Sequence, residues 1–221
     1  MLGEWSKSPL FKGAVLVVIV LVLLSFFWSG PDPAKEDLRF DALIKTATGQ
    51  VAAEEAARVL GSAGGGVVLI LPPVADEQKI QGTDAEEYAN GFQNVAAKHA
   101  SLRILGRSFL ESESSFTFST LRAAREKFDG VGLLVSFNGL PQGSSRDETE
   151  WLSSQPPKLI VLEERTQRAE AVSQALQKRV VQVVLVRKAD IPYPEKRPRE
   201  LQEIFDLFYR VDTAATPGVN N

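Results

Sequence analysis

The chain opens with one long apolar run and then turns to short apolar segments separated by polar ones. Gly13 to Trp28 reads GAVLVVIVLVLLSFFW without a charge. Each Val, Leu, Ile or Phe in such a run favours insertion into lipid by roughly 0.3 to 0.6 kcal/mol when centrally placed. A helix from about Leu10 to Trp28 matches the thickness of a hydrocarbon core, about 30 Å. Lys12 can snorkel at one end, Phe26, Phe27 and Trp28 form an aromatic collar at the other, and Pro31 and Pro33 stop the helix. A cleavable signal peptide needs small residues ahead of the cut, whereas Phe27-Trp28-Ser29 is bulky. The expectation is a tail over 1–9, a transmembrane anchor over 10–29 held in the lipid bilayer, and a polar, partly helical stalk over 30–49. Lys7 and Lys12 precede the span while Lys35, Arg39 and Lys45 follow it, so the basic residues alone do not orient it. A short tail ahead of a long domain favours an N-terminus in the cytoplasm. The chain is therefore expected to cross the inner (cytoplasmic) membrane once, with its domain on the periplasmic or extracytoplasmic side.

From residue 50 the pattern alternates between two periods. Gln50 to Leu60 carries Val51, Ala52, Ala56, Val59 and Leu60 on one helical face. Val67 to Leu71 is a continuous apolar run, the pattern of a strand covered on both faces. A helix over Ala85–His99, a strand over Leu102–Leu105, a Thr117-capped helix over Phe118–Phe128 and a strand over Val131–Phe137 follow. Ser145-Arg146-Asp147-Glu148 has capping-box spacing and opens a short helix through Trp151. Strands over Leu159–Leu162 and Val180–Val186 flank a helix over Thr166–Lys178. A last helix opens at Pro198 with Leu201, Ile204, Phe205, Phe208 and Val211 on one side. Strand and helix alternating in this way predict an α/β fold: a doubly wound, mostly parallel, five-stranded three-layer sandwich over 50–211, followed by a disordered tail over 212–221.

Composition narrows the chemistry. The hydrophobic share is 44% and the charged share 24%, as in a globular chain, and the net charge of −3 comes without a basic stripe, which argues against nucleic acid. With no cysteine, disulfides and thiolate sites are excluded. His99 is the single histidine and stands at a helix end, so no Ser-His-Asp relay or histidine metal cluster can be built around a second one. Glu54-Glu55 and Glu86-Glu87 fit solvated helix faces, because neighbours on a helix do not face each other. The glycines of Gly61-Ser62-Ala63-Gly64-Gly65-Gly66 precede a strand, whereas phosphate-cradling loops follow one, so they read as a flexible link. Neither an enzyme nor a bound cofactor or metal is expected.

In doubly wound sheets ligands sit beyond the carboxyl ends of the strands. Those positions here supply Pro72 and Pro73, then Arg107 and Ser108, then Ser136, Asn138 and Gly139, then Glu163, Glu164 and Arg165, then Arg187, Lys188 and Asp190, with Phe137 and Tyr193 as stacking surfaces. Arg107, Ser136, Phe137, Asn138, Glu163 and Arg187 are the ligand-binding candidates. Polar strand-end loops are also what any such fold displays to solvent.

Several segments resemble the C-terminal lobe of type I periplasmic sugar-binding proteins, which share their fold with LacI-type repressors. The helix ending Ala56-Ala57-Arg58-Val59-Leu60 before the Val67–Leu71 strand is similar to the start of that lobe. Tyr88-Ala89-Asn90-Gly91-Phe92 resembles the family's R-x-x-G-F helix, and Phe128 to Asn138 resembles the segment that reads the ligand after the third strand. The resemblance implies Asn138 and Glu163 as hydrogen-bonding groups to a small polar, sugar-like ligand and Arg187 as a charged contact. Gly139 stands where the family places Asp, Glu163 where it places Asp, and Arg187 where it places an amide; the N-terminal lobe has no counterpart. Two expectations follow. One is a membrane-anchored ligand-binding or sensing module with a half-site. The other is an envelope scaffold whose orphan lobe face docks a protein partner or forms a homo-oligomer.

Overall fold

The computed structural model describes residues 33–76, 80–112, 115–189 and 191–214. The tail expected over 1–9 and the anchor expected over 10–29 lie outside them. Among the described residues no helix is long and apolar enough to cross a membrane. The chain divides into two compact units, 1–41 and 42–221. In the first, residues 33–41 form the opening turns of a helix.

That helix, α1, covers Pro33–Leu60, with proline in the first position, where a missing N–H costs nothing. It runs unbroken across the expected boundary between stalk and domain at 49/50. The order then continues β1 (Gly65–Leu71), α2 (Asp84–Ala96), β2 (Leu102–Phe109), α3 (Phe118–Lys127), β3 (Val131–Ser136) and α4 (Ser145–Ser153). It ends with β4 (Lys158–Glu163), a 3-10 turn (Thr166–Arg168), α5 (Ala169–Gln177), β5 (Val183–Arg187), α6 (Leu201–Phe208) and β6 (Tyr209–Thr213).

The strands form one six-stranded sheet in the order β2-β1-β3-β4-β5-β6. The first five are parallel, and β6 runs antiparallel to β5 from Val183↔Thr213 to Arg187↔Tyr209. Helices cover both faces. On one face α3, α4 and α5 close over Val68, Ile70, Leu134, Leu159, Val161 and Val184. The alternate side chains Val67, Leu69, Leu71, Leu133, Val135, Ile160 and Leu162 are equally buried and point to the other face, as the period of two requires. Burial on both faces explains why these strands are continuous apolar runs.

Several expectations change. The last helix opens at Leu201, not Pro198, the fifth strand starts at Val183, not Val180, and the helix expected over Thr166–Lys178 begins as a 3-10 turn. The sheet has a sixth strand, because Tyr209 to Thr213 leaves the helical stripe and pairs with β5; Val211 therefore belongs to a strand, and 212–213 are not part of a loose tail. The strand expected to stop at Leu105 continues to Phe109 after a bulge at Leu105, where Val67 faces Ile104 and Val68 faces Gly106. The cap of α4 is Ser144, one residue earlier than expected, in a capping box with Asp147.

The cap of α3 is Thr117, as expected, paired reciprocally with Thr120. From Ala42 onward α1 lies against α2 at backbone distance. A Cβ on Gly49 would stand 2.2 Å from the Tyr88 carbonyl oxygen, and one on Gly91 would stand 2.1 Å from that of Thr46. Thr46 Oγ1 donates to Glu87 Oε2 at 2.9 Å, and Lys45 pairs with Asp84 at 2.6 Å beside the same crossing. Gly91→Ala has no room to relax against backbone, so it should destabilise the fold by about 1–3 kcal/mol. Thermal melting of the full chain is the measurement; an unchanged midpoint would show that the helices separate freely.

Candidate functional site

The carboxyl ends of β3, β4 and β5 meet at one polar edge, built outward from β3. Past Ser136 the chain is stitched to both neighbouring strands. Phe137 N donates to Ile70 O at 3.0 Å, Asn138 Nδ2 donates to the same oxygen at 3.0 Å, and Gly139 N donates to Leu162 O at 2.8 Å. The buried Ser136 hydroxyl accepts from Asn138 N at 3.2 Å. Gly139 has φ +80°, and a Cβ there would lie 3.2 Å from Glu163 Oε2. An Asp at this position would take a disfavoured backbone and set a second carboxylate against the first. Glycine is the residue that fits.

Glu163 ends β4 with 1% of its surface exposed. Its Oε2 accepts from Leu140 N at 3.0 Å and Arg168 Nη1 at 3.4 Å, and its Oε1 from Arg165 N at 3.1 Å. Both oxygens are thus engaged within the protein. Strand parity accounts for this: Glu163 follows Leu159 and Val161 on the face covered by α3, α4 and α5.

The next residue, Glu164, is the accessible acid. Its Oε1 accepts from Tyr209 Oη at 2.6 Å and Tyr88 Oη at 3.3 Å, and its Oε2 from Arg187 Nη1 at 2.9 Å. The Glu164 and Arg187 side chains keep 39% and 37% of their surface exposed. The Arg187 guanidinium lies 5.9 Å from the Tyr209 ring centroid, and Tyr88 stacks on Phe137 with centroids 4.7 Å apart. Burial, followed by the charge of Glu164, raises the pKa of both phenols, so they remain donors.

Of the expected residues, Ser136, Phe137, Asn138 and Glu163 come together, and Arg187 joins them through Glu164, Tyr88 and Phe137. Phe137 is buried under Tyr88 and is not an open stacking surface. Tyr193 is 37% exposed, edge-on to Phe208 at 6.0 Å. Arg107 lies elsewhere, inside β2 opposite Leu69, because that strand runs on past Leu105. Tyr88 and Tyr209 were missed, and Glu164 was placed at the strand end without being taken as a ligand group. The alternation Leu162, Glu163, Glu164 already separates the two acids onto opposite faces, but Tyr209 could be placed only by knowing that β6 pairs with β5.

Among the described residues, one hollow lies apart from this network and another borders it at Leu140 and Arg168. One of about 590 Å³ sits at the amino ends of β1 and β2, between Ser62, Gly64, Gly66, Ser101, Arg103 and Gly130. The glycine segment therefore shapes the edge opposite the one where ligands bind in such sheets. The other, of about 140 Å³, lies among Phe118, Leu140, Glu148, Arg168 and Lys178. Among the described residues no group of three or more His, Cys, Asp or Glu is placed to hold a metal ion.

No protein-family model matches the chain, and no curated protein does. Solved structures match in fold. A carbohydrate-transporter solute-binding protein from Agrobacterium radiobacter, in complex with D-arabinose, is 16% identical over 65% of this chain and 48% of its own, with a TM-score of 0.50. XylFII is 15% identical over 76% of this chain and 60% of its own, with a TM-score of 0.53. A chain of the XylFII–LytSN complex is 15% identical over 77% and 60%, with a TM-score of 0.51. The fold is that of sugar-transporter solute-binding proteins. This chain spans less than two thirds of the length of these structures.

In an unfolded chain the two phenols ionise near the ordinary value of 10.0, whereas in the folded protein they hold their protons to higher pH. Above that value the unfolded state releases protons that the folded state keeps, so stability should fall as pH rises past about 10. Urea midpoints at about pH 9 and about pH 11 should show this fall, and it should be shallower with Tyr88 and Tyr209 both changed to Phe. An equal fall in the double variant would assign the alkaline loss to other groups.

Proposed function

We propose that this protein is a membrane-anchored, extracytoplasmic binding module whose single sugar-binding-protein-like lobe presents the edge at β3, β4 and β5 to a small polyhydroxylated ligand. The observation that carries this reading is the half-exposed Glu164–Arg187 pair, fixed in place by two phenols yet open on its outer side. A carboxylate beside a guanidinium offers an acceptor and a fork of donors, the combination that neighbouring hydroxyls of a sugar satisfy. Arg187 and Glu164 make the direct contacts. Asn138 adds its Oδ1, since only its amide nitrogen is engaged among the described residues. Ser136, Phe137 and Glu163 hold the edge in shape. The D-arabinose bound to one fold neighbour supports the ligand class.

The test is calorimetry on the full chain in detergent micelles with a panel of pentoses and hexoses. Binding heat should appear for at least one sugar and weaken about tenfold or more in Arg187→Ala, the loss of a charge-assisted hydrogen bond. Sugars that give no heat, or heat indifferent to Arg187→Ala and Glu164→Ala in variants that melt normally, would refute the reading.

A second reading has its own support. Small-molecule sites bury most of their ligand, about 70–90% of its surface, while one lobe supplies one wall. A protein partner seated on the same edge would close it, and the fold neighbour XylFII is described in complex with LytSN. Sensing through such a partner is the form this second reading takes.

The anchor and orientation rest on the apolar run from Gly13 to Trp28. Protease added to intact spheroplasts should degrade the domain, and protection until the membrane is opened would place it inside.

A further inference from the structure

The Glu164–Arg187 pair has bonding capacity left on its open side. Glu164 Oε1 takes the two phenols, while Oε2 accepts from Arg187 Nη1 at 2.9 Å and can accept once more. Arg187 keeps further N–H donors. An acceptor and a donor thus stand side by side, both partly exposed. That arrangement is complementary to itself. Turned about a twofold axis, Arg187 of one copy meets Glu164 of the other and the reverse, which closes a ring of four alternating charges. Reciprocity of this kind is what a twofold interface between identical chains imposes.

Any exposed ion pair is self-complementary in charge, and most are solvated. This one is held still and is flanked by stiff apolar groups. The phenols fix Glu164, and the Tyr209 ring lies 5.9 Å from the Arg187 guanidinium, so little side-chain freedom remains to be lost on association. In the sheet, β1 and β5 flank β3 and β4, and all four run parallel, so the loops after β1 and β5 leave the same edge on either side of the pair. The first places Pro72, Pro73 and Val74 half-buried at the surface, and the second places Pro192 and Tyr193 exposed. Tyr193 packs edge-on to Phe208 at 6.0 Å, and the next residue, Tyr209, pairs with Arg187 across the two strands, which seats the exposed ring at the arginine end. Tyrosine and arginine are the side chains that most often carry the binding energy of protein interfaces.

We infer that this edge docks on the same edge of a second copy of the chain about a twofold axis, each Glu164 facing the other copy's Arg187, and that a sugar and the second copy exclude one another there. The pairing stands on the geometry of the edge. The exclusion rests on the binding-module reading above, because both occupants use the same donors and acceptors.

The test is the oligomeric state of the full chain in density-matched detergent micelles, followed by sedimentation velocity over a wide range of protein concentration. A monomer–dimer equilibrium should appear. Glu164→Arg alone and Arg187→Glu alone should each raise the dimer dissociation constant about thirtyfold or more, because each sets like charges face to face. Mixing the two variants should restore a dimer containing one chain of each, since every contact is then again between opposite charges. Tyr193→Ser leaves the pair intact and should weaken the dimer about tenfold; it carries the test if a charge reversal prevents folding. A monomer at every concentration would overturn the pairing. A dimer indifferent to both reversals and to Tyr193→Ser would place the contact elsewhere on the chain and overturn it as well. Folded variants that stay monomeric when mixed would refute the exchange of Glu164 and Arg187. A sugar that gives binding heat, from the panel of pentoses and hexoses, should shift the equilibrium towards monomer. A dimer unmoved by such a sugar would refute the exclusion and leave the binding module standing. If no sugar gives heat, the binding module and the exclusion fall together, while a dimer restored by mixing still supports the pairing.

Discussion

One buried carboxylate organises the edge at the carboxyl ends of β3, β4 and β5. Moving an ionised acid out of water costs several kcal/mol unless its oxygens are satisfied. Glu163 is satisfied by three donors drawn from three places: the loop after β3, the residue two positions on, and the turn that starts α5. Because those donors are held by a group that cannot leave, the loops they belong to are held as well. Gly139 keeps its positive φ, Leu140 turns inward, and Arg165 starts from a defined point. Glu163 thus contributes by placement, and Glu164, free of that duty, remains available at the surface.

Fold was legible in the sequence wherever burial and period agreed. Val67 to Leu71 and Leu159 to Leu162 are apolar on both faces, and a strand is the only element of that length that needs to be. The Thr117 cap was legible because a Thr ahead of a helical period has one strong local use. Legibility failed where two periods overlapped. Leu201, Ile204, Phe205 and Phe208 follow helical spacing, and Val211 extends it by chance, while Tyr209, Val211 and Thr213 also alternate as a strand. The partner strand β5 decided between them, and a partner is not local information. Likewise Gly106, Arg107 and Ser108 are too polar to announce a strand, yet they lie on the sheet's outer edge, where polarity discourages stray pairing.

The site followed the same division. Strand ends could be listed from the sequence, so Ser136, Asn138, Glu163, Glu164 and Arg187 were placed at one edge, but which of two adjacent acids faces solvent depends on which helices cover which face. Glu163 was expected to meet a ligand and is engaged within the protein, while Glu164 carries the exposed charge. Similarity in fold to sugar-transporter solute-binding proteins fixes the scaffold. It leaves the chemistry to the residues at the edge.

The antiparallel sixth strand has a consequence for assembly. Tyr209 is its first residue and supplies the shorter of the two phenol contacts to Glu164, so the edge is completed by a segment made after every other strand of the sheet. During synthesis, when earlier segments fold ahead of later ones, β1 to β5 can associate while Glu164 and Arg187 still lack that phenol. The Glu164–Arg187 cluster therefore matures last, and a nascent chain halted short of β6 would carry a nearly complete sheet with that edge unfinished.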